Sequence, residues 1–230
     1  MKCIGIIGGI SWESTAHYYA ALNEGVKNRL GGLHSAQILL WSVDFAEIEE
    51  LQRTGEWERA GEIFADVAKR LERAGAECIV IAANTMHKVA DYVTKSVSVP
   101  LLHIGDATAK AVLSAMKNNV LLLGTRYTME QPFLREWLTS KGLHIVVPDD
   151  DDILVVNQII YDELCLGIVT DESRHRLLDV ISRNKRRGIE GVILGCTELG
   201  MILEPQHVDL QLFDTTAIHV DFALDFSLNS

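Results

Sequence analysis

The chain has 230 residues, of which 48% are hydrophobic and 23% are charged, and its 21 basic and 32 acidic side chains give a formal net charge of −11. This composition is typical of a globular protein and excludes a largely disordered chain. Because an acidic protein with a pI of about 5.1 repels phosphate backbones and anionic lipid headgroups, we expect neither nucleic acid nor a membrane as a partner.

The expected compartment follows from the cysteines and from the lack of targeting signals. No apolar run approaches the roughly 18 to 20 residues that span a bilayer, and the N-terminus lacks the apolar core and cleavage site of a signal peptide. The cysteines are far apart and form no C-x-x-C pair: Cys3, Cys78, Cys165 and Cys196. This spacing argues against a zinc site or a disulfide framework and predicts a cytoplasmic protein.

Short aliphatic runs alternate with longer amphipathic segments along the chain. In chain order, the predicted strands are Cys3–Ile7, Ala36–Trp41, Cys78–Ile81, Leu101–His103, Val120–Leu123, His144–Val147, Val192–Leu194 and Gln211–Phe213. They are continuously apolar rather than alternating, which is typical of buried parallel strands. Helical spacing recurs between them, as in Ile63, Val67 and Leu71. The alternation predicts an α/β fold.

The sequence contains an internal repeat. The segment Gly75–Thr85 aligns with Gly188–Glu198 at an offset of 113 residues, and both begin Gly-x-Glu before an apolar strand and small polar residues. In addition, the glycine after the first strand, Gly8, corresponds to Gly124 at an offset of 116 residues. We therefore predict two similar α/β domains.

The counting of strand–helix units predicts the domain boundaries. The first domain is expected to comprise residues 1–106 and 209–230, and the second residues 107–208. The final strand and helix, from Gln211 to Leu228, are expected to return to the first domain because they follow the apparent end of the second half.

Small polar residues follow four of the predicted strands. They are Ser11, Asn84, Thr85, Thr125, Thr128, Cys196, Thr197 and Glu198. Since open α/β sheets bind ligands beyond the carboxyl ends of their strands, we expect these ends to line an interdomain cleft. Helix N-termini there would direct N–H groups at a carboxylate and lower the pKa of a thiol, which makes Cys196 the best candidate for a base or nucleophile. The alternative is that Asn84, Thr85 and Thr125 are helix caps and that Cys196 is an inert core residue.

Other candidate features carry less chemistry. Cys3 and Cys78 are predicted to be core residues, and Cys165 a structural residue in a helix. His87 is expected either at the surface or in the cleft, and the sequence identifies no partner for His17, His34, His103, His175 or His219. The first strand is followed by G-x-x-G-G rather than a dinucleotide-binding G-x-G-x-x-G. The acidic run Asp149–Asp152 is predicted to be a solvated loop.

Taken together, four motifs resemble the aspartate/glutamate racemase family, and most closely its bacterial amino-acid racemase branch. They are Gly8-Gly9-Ile10-Ser11-Trp12-Glu13-Ser14-Thr15, Ala83-Asn84-Thr85-Met86-His87, Gly124-Thr125-Arg126-Tyr127-Thr128-Met129 and Gly195-Cys196-Thr197-Glu198. The resemblance implies two pseudo-symmetric Rossmann-like domains with central, mostly parallel sheets, an interdomain active-site cleft and usually a homodimer. It also implies an isomerase that acts on a small acidic amino acid without pyridoxal phosphate or a metal.

The resemblance assigns one base to each half, either two cysteines or a threonine and a cysteine. The repeat pairs position 196, a cysteine, with position 83, which is Ala83 and has no proton to exchange. Three explanations are open. The chain is an engineered variant, or a natural homologue in which water, Thr85 or His87 serves the second face. Alternatively, it is a relative of single-cysteine decarboxylases.

The resemblance also implies roles for the remaining residues. Cys196 is expected to be the acid/base, with Ala83 marking the position of the missing second base. The residues expected to bind the substrate are Ser11, Gln52, Asn84, Thr85, Thr125, Thr128, Thr197 and Glu198. Arg53 is either a partner of a side-chain carboxylate or a solvated residue on a helix face. A pseudoenzyme that binds an acidic amino acid without turning it over remains the contrasting hypothesis.

Overall fold

The structure is a computed structural model and describes residues 1–229. The strands in this part of the chain are β1 (Ile4–Gly8), β2 (Ile38–Ser42), β3 (Cys78–Ile81), β4 (Asn119–Gly124), β5 (His144–Val146), β6 (Gly191–Gly195) and β7 (Gln211–Asp214). The α-helices are α1 (Trp12–Leu30), α2 (Phe45–Thr54), α3 (Trp57–Arg73), α4 (Ala90–Ser96), α5 (Ile104–Ser114), α6 (Arg126–Glu130), α7 (Pro132–Ser140), α8 (Asp150–Asp162), α9 (Asp171–Lys185) and α10 (Thr215–Leu228).

The chain divides into two compact units. The first unit contains Met1–Ile104 together with the residues from His219 onward, and the second contains Gly105–Ile218. The chain therefore passes from one unit to the other at Ile104–Gly105 and again at Ile218–His219.

The first unit is built on a parallel sheet in the order β2-β1-β3, in which Ile4 lies opposite both Ile38 and Cys78. Alternate residues of β1 enter two different cores, because successive side chains of a strand point to opposite faces. Ile7 packs with residues of α2 and α3, whereas Ile6 packs with residues of α1 and α10. Helices therefore cover both faces of this sheet, which explains why the strand sequences are continuously apolar.

The second unit is built on a parallel sheet in the order β5-β4-β6-β7. Leu121 and Leu123 of β4 pack with residues of α8 and α9, while Leu122 packs with residues of α5 and α7. The predicted α/β class with two parallel sheets is therefore confirmed. No helix among the described residues combines the length and the hydropathy needed to cross a membrane.

The prediction for the last strand is wrong. β7 does not return to the first unit but pairs with β6 in parallel, with Gln211 opposite Gly191 and Phe213 opposite Ile193. Phe213 is buried in the core of the second unit, so this sheet is complete only with its fourth strand. Only the part of α10 from His219 onward belongs to the first unit.

Two further segments differ from the sequence-based expectations. The segment Leu101–His103 forms a single parallel bridge, between Leu101 and Ile79, because α5 begins directly afterwards at Ile104. The acidic run is not a loop: Asp149 precedes α8 and the other three aspartates form its first turn. Acidic side chains are favourable at a helix N-terminus, and Asp152 also pairs with Arg183 at 2.6 Å.

Candidate active site

In the first unit, candidate residues follow the carboxyl ends of two adjacent strands. β1 and β3 are paired in parallel with Ile7 opposite Ile81, so Ser11 and Ala83 both follow the same edge of the sheet. Ser11 is the N-cap of α1, and its side chain accepts a hydrogen bond from the Ser14 N–H at 3.3 Å. Ser11 therefore caps α1, as serine commonly does at a helix N-terminus.

Ser14 and Thr15, which the sequence analysis did not single out individually, hold this edge together. The Ser14 hydroxyl donates to the Ala82 carbonyl at 3.1 Å and so links α1 to the end of β3. The Thr15 hydroxyl accepts from the Gly9 N–H at 2.7 Å and donates to the Ser11 carbonyl at 2.9 Å. Hydroxyl residues three and four positions after an N-cap serine are the sequence signal that could have identified them.

Gly9 is the one position in this loop that requires glycine. Its φ angle is +90°, and a Cβ atom there would lie 2.2 Å from the Val43 carbonyl oxygen. Both the backbone conformation and the close approach exclude a larger residue, which explains the glycine directly after β1.

Ala83 and Asn84 are buried after β3, with 8% and 6% of their surfaces exposed, and Thr85 begins a 3-10 helix at Thr85–Val89. Gln52 is also buried, in α2, and its side-chain amide donates to the sulfur of Met86 at 3.0 Å. Gln52 is therefore connected to the segment that carries Asn84 and Thr85.

Arg53, next to Gln52, is exposed and pairs with Glu50 at 2.5 Å. This position agrees with the alternative of a solvated helix face rather than a partner for a side-chain carboxylate.

His87, His103 and His219 are buried together rather than lying at the surface. The ring centroids of His87 and His103 are 4.6 Å apart, and those of His87 and His219 are 5.7 Å apart. His87 contacts the Ala83 carbonyl through Nδ1 at 2.8 Å, and its Nε2 accepts from the Ile104 N–H at 3.1 Å. Burial, reinforced by the two neighbouring histidines, lowers the pKa of His87 well below its usual value.

In the second unit, Thr125 and Cys196 directly follow the paired strands β4 and β6, whose last residues Gly124 and Gly195 lie opposite each other. Thr125 is the N-cap of α6, and its hydroxyl is 3.2 Å from that of the fully buried Thr128. These two hydroxyls therefore lie at the end of β4, the strand that pairs with β6, and Cys196 follows β6.

Cys196 is 9% exposed and has a carboxylate as its hydrogen-bond partner. Its thiol donates to Oε2 of Glu198 at 2.8 Å, and the Thr197 hydroxyl donates to the same oxygen at 2.6 Å. Glu198 thus connects the three residues of the Cys196-Thr197-Glu198 motif. In this arrangement the carboxylate is the acceptor and the thiol is protonated.

The predicted lowering of the Cys196 pKa is wrong. Burial raises the pKa of this thiol well above its usual value, and the negative charge of Glu198 raises it further. The segment that begins at Thr197 is a 3-10 helix of five residues rather than an α-helix, so its N-terminal dipole is a weak opposing influence. The site therefore holds an acid and a proton acceptor in direct contact.

The other cysteines differ in environment. Cys78 is buried, and burial raises the pKa of its thiol to about 12, as expected for a core residue. Cys3 is half-buried. Cys165 is exposed in the 3-10 helix Leu164–Leu166, and its charge contributes to the raised pKa of Cys196. Cys165 therefore lies in a helical segment, as expected, but its exposure does not agree with a structural role.

The strand pairing gives an independent account of the repeat. Ile7 lies opposite Ile81 in the first unit, and Gly124 lies opposite Gly195 in the second. One residue further along the first pair of strands come Gly8 and Ala82, and this pair corresponds to Gly124 and Gly195 in the repeat. The residue that follows Ala82 is Ala83, and the residue that follows Gly195 is Cys196.

Among the described residues, no group of three or more histidine, cysteine or acidic side chains is arranged to hold a metal ion.

Comparison with known proteins identifies similar chains. A candidate Asp/Glu racemase of known structure from Yersinia pestis is 50% identical over the full length of both chains, with a TM-score of 0.95. An aspartate racemase homologue from Pyrococcus horikoshii OT3 is 38% identical, also over both full lengths, with a TM-score of 0.90.

Curated relatives are more distant. The broad specificity amino-acid racemase RacX of Bacillus subtilis (strain 168) is 25% identical over 157 residues, which are 66% of this chain and 65% of that protein. Glutamate racemases of Staphylococcus aureus are 26% identical over 153 residues, which cover 64% of this chain and 55% of those proteins. The chain thus matches less than two thirds of the length of these curated relatives. The sequence profile of the Asp/Glu/Hydantoin racemase family matches residues 7–223, nearly the whole chain, and the chain belongs to that family.

Proposed function

We propose that this chain is an amino-acid racemase that works without a cofactor at the α-carbon of aspartate or glutamate, with Cys196 as its acid/base. The observation that carries the proposal is the contact between the Cys196 thiol and the Glu198 carboxylate at the end of β6. Family membership and the racemase names of the similar proteins support the reaction class. The choice of an acidic substrate rests on the family resemblance.

In the proposed reaction, Glu198 accepts the proton of the Cys196 thiol. The resulting thiolate removes the α-proton: the Cα–H bond breaks, its electron pair is delocalised into the α-carboxylate, and an S–H bond forms. The hydroxyl and amide groups at the strand ends, from Ser11, Asn84, Thr85, Thr125, Thr128 and Thr197, would hold the carboxylate. Donors placed where negative charge develops stabilise the enediolate transition state.

Ala83 leaves the chain with one thiol where a two-base mechanism needs two groups. A single base exchanges the α-proton on the face that it contacts, and inversion then depends on delivery of a proton by water to the other face. We therefore expect exchange of the α-proton to be faster than racemisation in this chain.

The test is to incubate the protein with L- and D-aspartate and L- and D-glutamate in D₂O, with exchange followed by NMR and inversion by polarimetry. Cys196→Ala should abolish exchange, whereas Thr139→Ala, at an exposed position, should not. Ala83→Cys or Ala83→Thr should raise the ratio of racemisation to exchange by about tenfold or more, as expected for a positioned acid/base group. Failure of both Ala83 variants to raise racemisation would contradict the assignment of this site.

Ala83 also favours a second candidate, a protein that binds an acidic amino acid without turning it over. In that case the wild-type chain binds aspartate or glutamate in calorimetry but exchanges no α-proton. A single-cysteine decarboxylase would instead release carbon dioxide, and its thiol would protonate the carbanion that remains.

We propose a cytoplasmic homodimer whose partner is a small acidic amino acid rather than nucleic acid or a membrane. The acidic net charge of −11 supports the exclusion of polyanionic partners, and it also means that an anionic substrate must be attracted by local donors.

A further inference from the structure

His87 makes two hydrogen bonds that together determine its protonation state. The Ala83 carbonyl, 2.8 Å from Nδ1, can only accept, so Nδ1 carries a proton. The Ile104 N–H, 3.1 Å from Nε2, can only donate, so Nε2 is unprotonated. Both bonds exist together only in the neutral ring with its proton on Nδ1.

The neighbouring His219 has different hydrogen-bond partners. Its Nε2 lies 2.6 Å from the Leu102 carbonyl and therefore carries a proton, while its Nδ1 lies 3.0 Å from the Tyr18 hydroxyl. A hydroxyl both donates and accepts, so a protonated His219 could keep both partners. A protonated His87 would instead direct an N–H at the Ile104 N–H and lose that bond.

The three rings also occupy special positions along the chain. His103 precedes Ile104, the last residue of the first unit before the chain enters the second, and His219 is the first residue after its return. His87 connects this region to the carbonyl of Ala83, the position equivalent to Cys196 in the repeat.

We infer that His87 is a positioning residue: as a neutral ring it ties the end of β3, which carries Ala83 and Asn84, to the backbone N–H of Ile104, and protonation breaks this hydrogen bond. Its catalytic consequence rests on the proposed function, but the hydrogen-bonding state does not. The rings that face His87 are His103 and His219, and the Tyr18 hydroxyl faces His219. Lys88, next along the chain, places its ammonium group 3.8 Å from the ring centroid of Trp57.

The first test is NMR of the full chain labelled with ¹⁵N-histidine. At neutral pH, His87 should have a protonated Nδ1 and an unprotonated Nε2. Amide exchange of Ile104 should be protected in the wild type and should become about fivefold faster or more in His87→Phe, which keeps a buried ring but neither hydrogen bond. Tyr18→Phe is the matched control, since it removes the hydroxyl that faces His219 and leaves both bonds of His87 in place.

The second test uses conservative replacements and the proposed reaction. His87→Gln offers an amide oxygen to the Ile104 N–H and does not titrate, so it should restore protection of this amide relative to His87→Phe and keep it at acidic pH, where the wild type loses it. For exchange of the substrate α-proton, His87→Phe should lower kcat by a larger factor than it raises KM. In His87→Gln, the acidic limb of the pH–rate profile for this exchange should lie at lower pH than in the wild type.

Several outcomes separate the two proposals. A proton on Nε2, a charged ring at neutral pH or unchanged Ile104 protection in His87→Phe would overturn the inference about His87. If the tautomer and the amide results are as expected but the wild-type chain exchanges no substrate proton, the inference stands and the proposed racemase function fails.

Discussion

At the residue scale, the state of the Cys196 thiol depends on Glu198, two positions later in the chain. The repeat locates Cys196 from the sequence alone, because an equivalent strand end occurs 113 residues earlier. The direction of its pKa shift could not be predicted in this way. It depends on the burial of the thiol and on the rotamer that brings the Glu198 carboxylate to 2.8 Å.

We predict that Glu198→Gln lowers the pKa of the Cys196 thiol, because the substitution removes a negative charge that raises it. In a Cys165→Ser background, alkylation of Cys196 by iodoacetamide at a fixed alkaline pH should become about tenfold faster, equivalent to about one pKa unit. Mass spectrometry of the alkylated peptide gives the rate.

Glu172→Gln on the exposed face of α9 is the matched control for this experiment and should leave the rate unchanged. An unchanged or slower alkylation of Cys196 in Glu198→Gln would show that the carboxylate does not control the thiol.

At the scale of secondary-structure elements, continuous apolar runs predict seven of the eight expected strands close to their observed positions. The exception is Leu101–His103. This segment resembles a buried strand because Leu102 and His103 are buried, but it forms only one bridge to the sheet. Apolar sequence reports burial, and burial alone does not distinguish a strand from a buried connection.

The buried histidines make the first unit sensitive to acid. Burial lowers the pKa of His219 from 6.5 to about 4. Between these two pH values, His219 is protonated in the unfolded chain and neutral in the folded chain. The contribution of His219 to stability is therefore complete above about pH 6.5 and falls as the pH decreases toward 4, by on the order of 3 kcal/mol. The lowered pKa of His87 acts in the same direction.

Urea unfolding across this pH range measures the effect. His219→Gln should reduce the dependence of the free energy of unfolding on pH, whereas His175→Gln, at an exposed position on α9, should not. An equally steep dependence in His219→Gln would contradict the role of this histidine.

At the scale of the whole molecule, the first unit is completed by the last segment of the chain. Val220, Ala223 and Leu224 of α10 pack in one core with Ile4 and Ile6 of β1. Leu224 lies directly against α1, since a Cβ atom at Gly25 would be 2.2 Å from its Cδ1. The first unit therefore cannot complete its core until the second has been synthesised.

We predict that Leu224→Ala lowers the free energy of unfolding by about 3 kcal/mol, because it opens a cavity where the side chain is almost completely buried. Leu154→Ala, which truncates a leucine that is 54% exposed on α8, should cost less than about 1 kcal/mol. Urea unfolding measures both. A small cost at Leu224 would mean that α10 is not needed to complete the core.

The sequence by itself determined the α/β class, the repeat, the positions of Ala83 and Cys196 and the family, because apolar periodicity and short motifs are local properties of the chain. Only the tertiary structure decided that β7 belongs to the second sheet, that three histidines are buried together and that Cys196 is a protonated thiol beside Glu198. These features depend on which distant segments meet. The contact between His219 and the Leu102 carbonyl, for example, joins residues 117 positions apart, and no local pattern specifies such a pair.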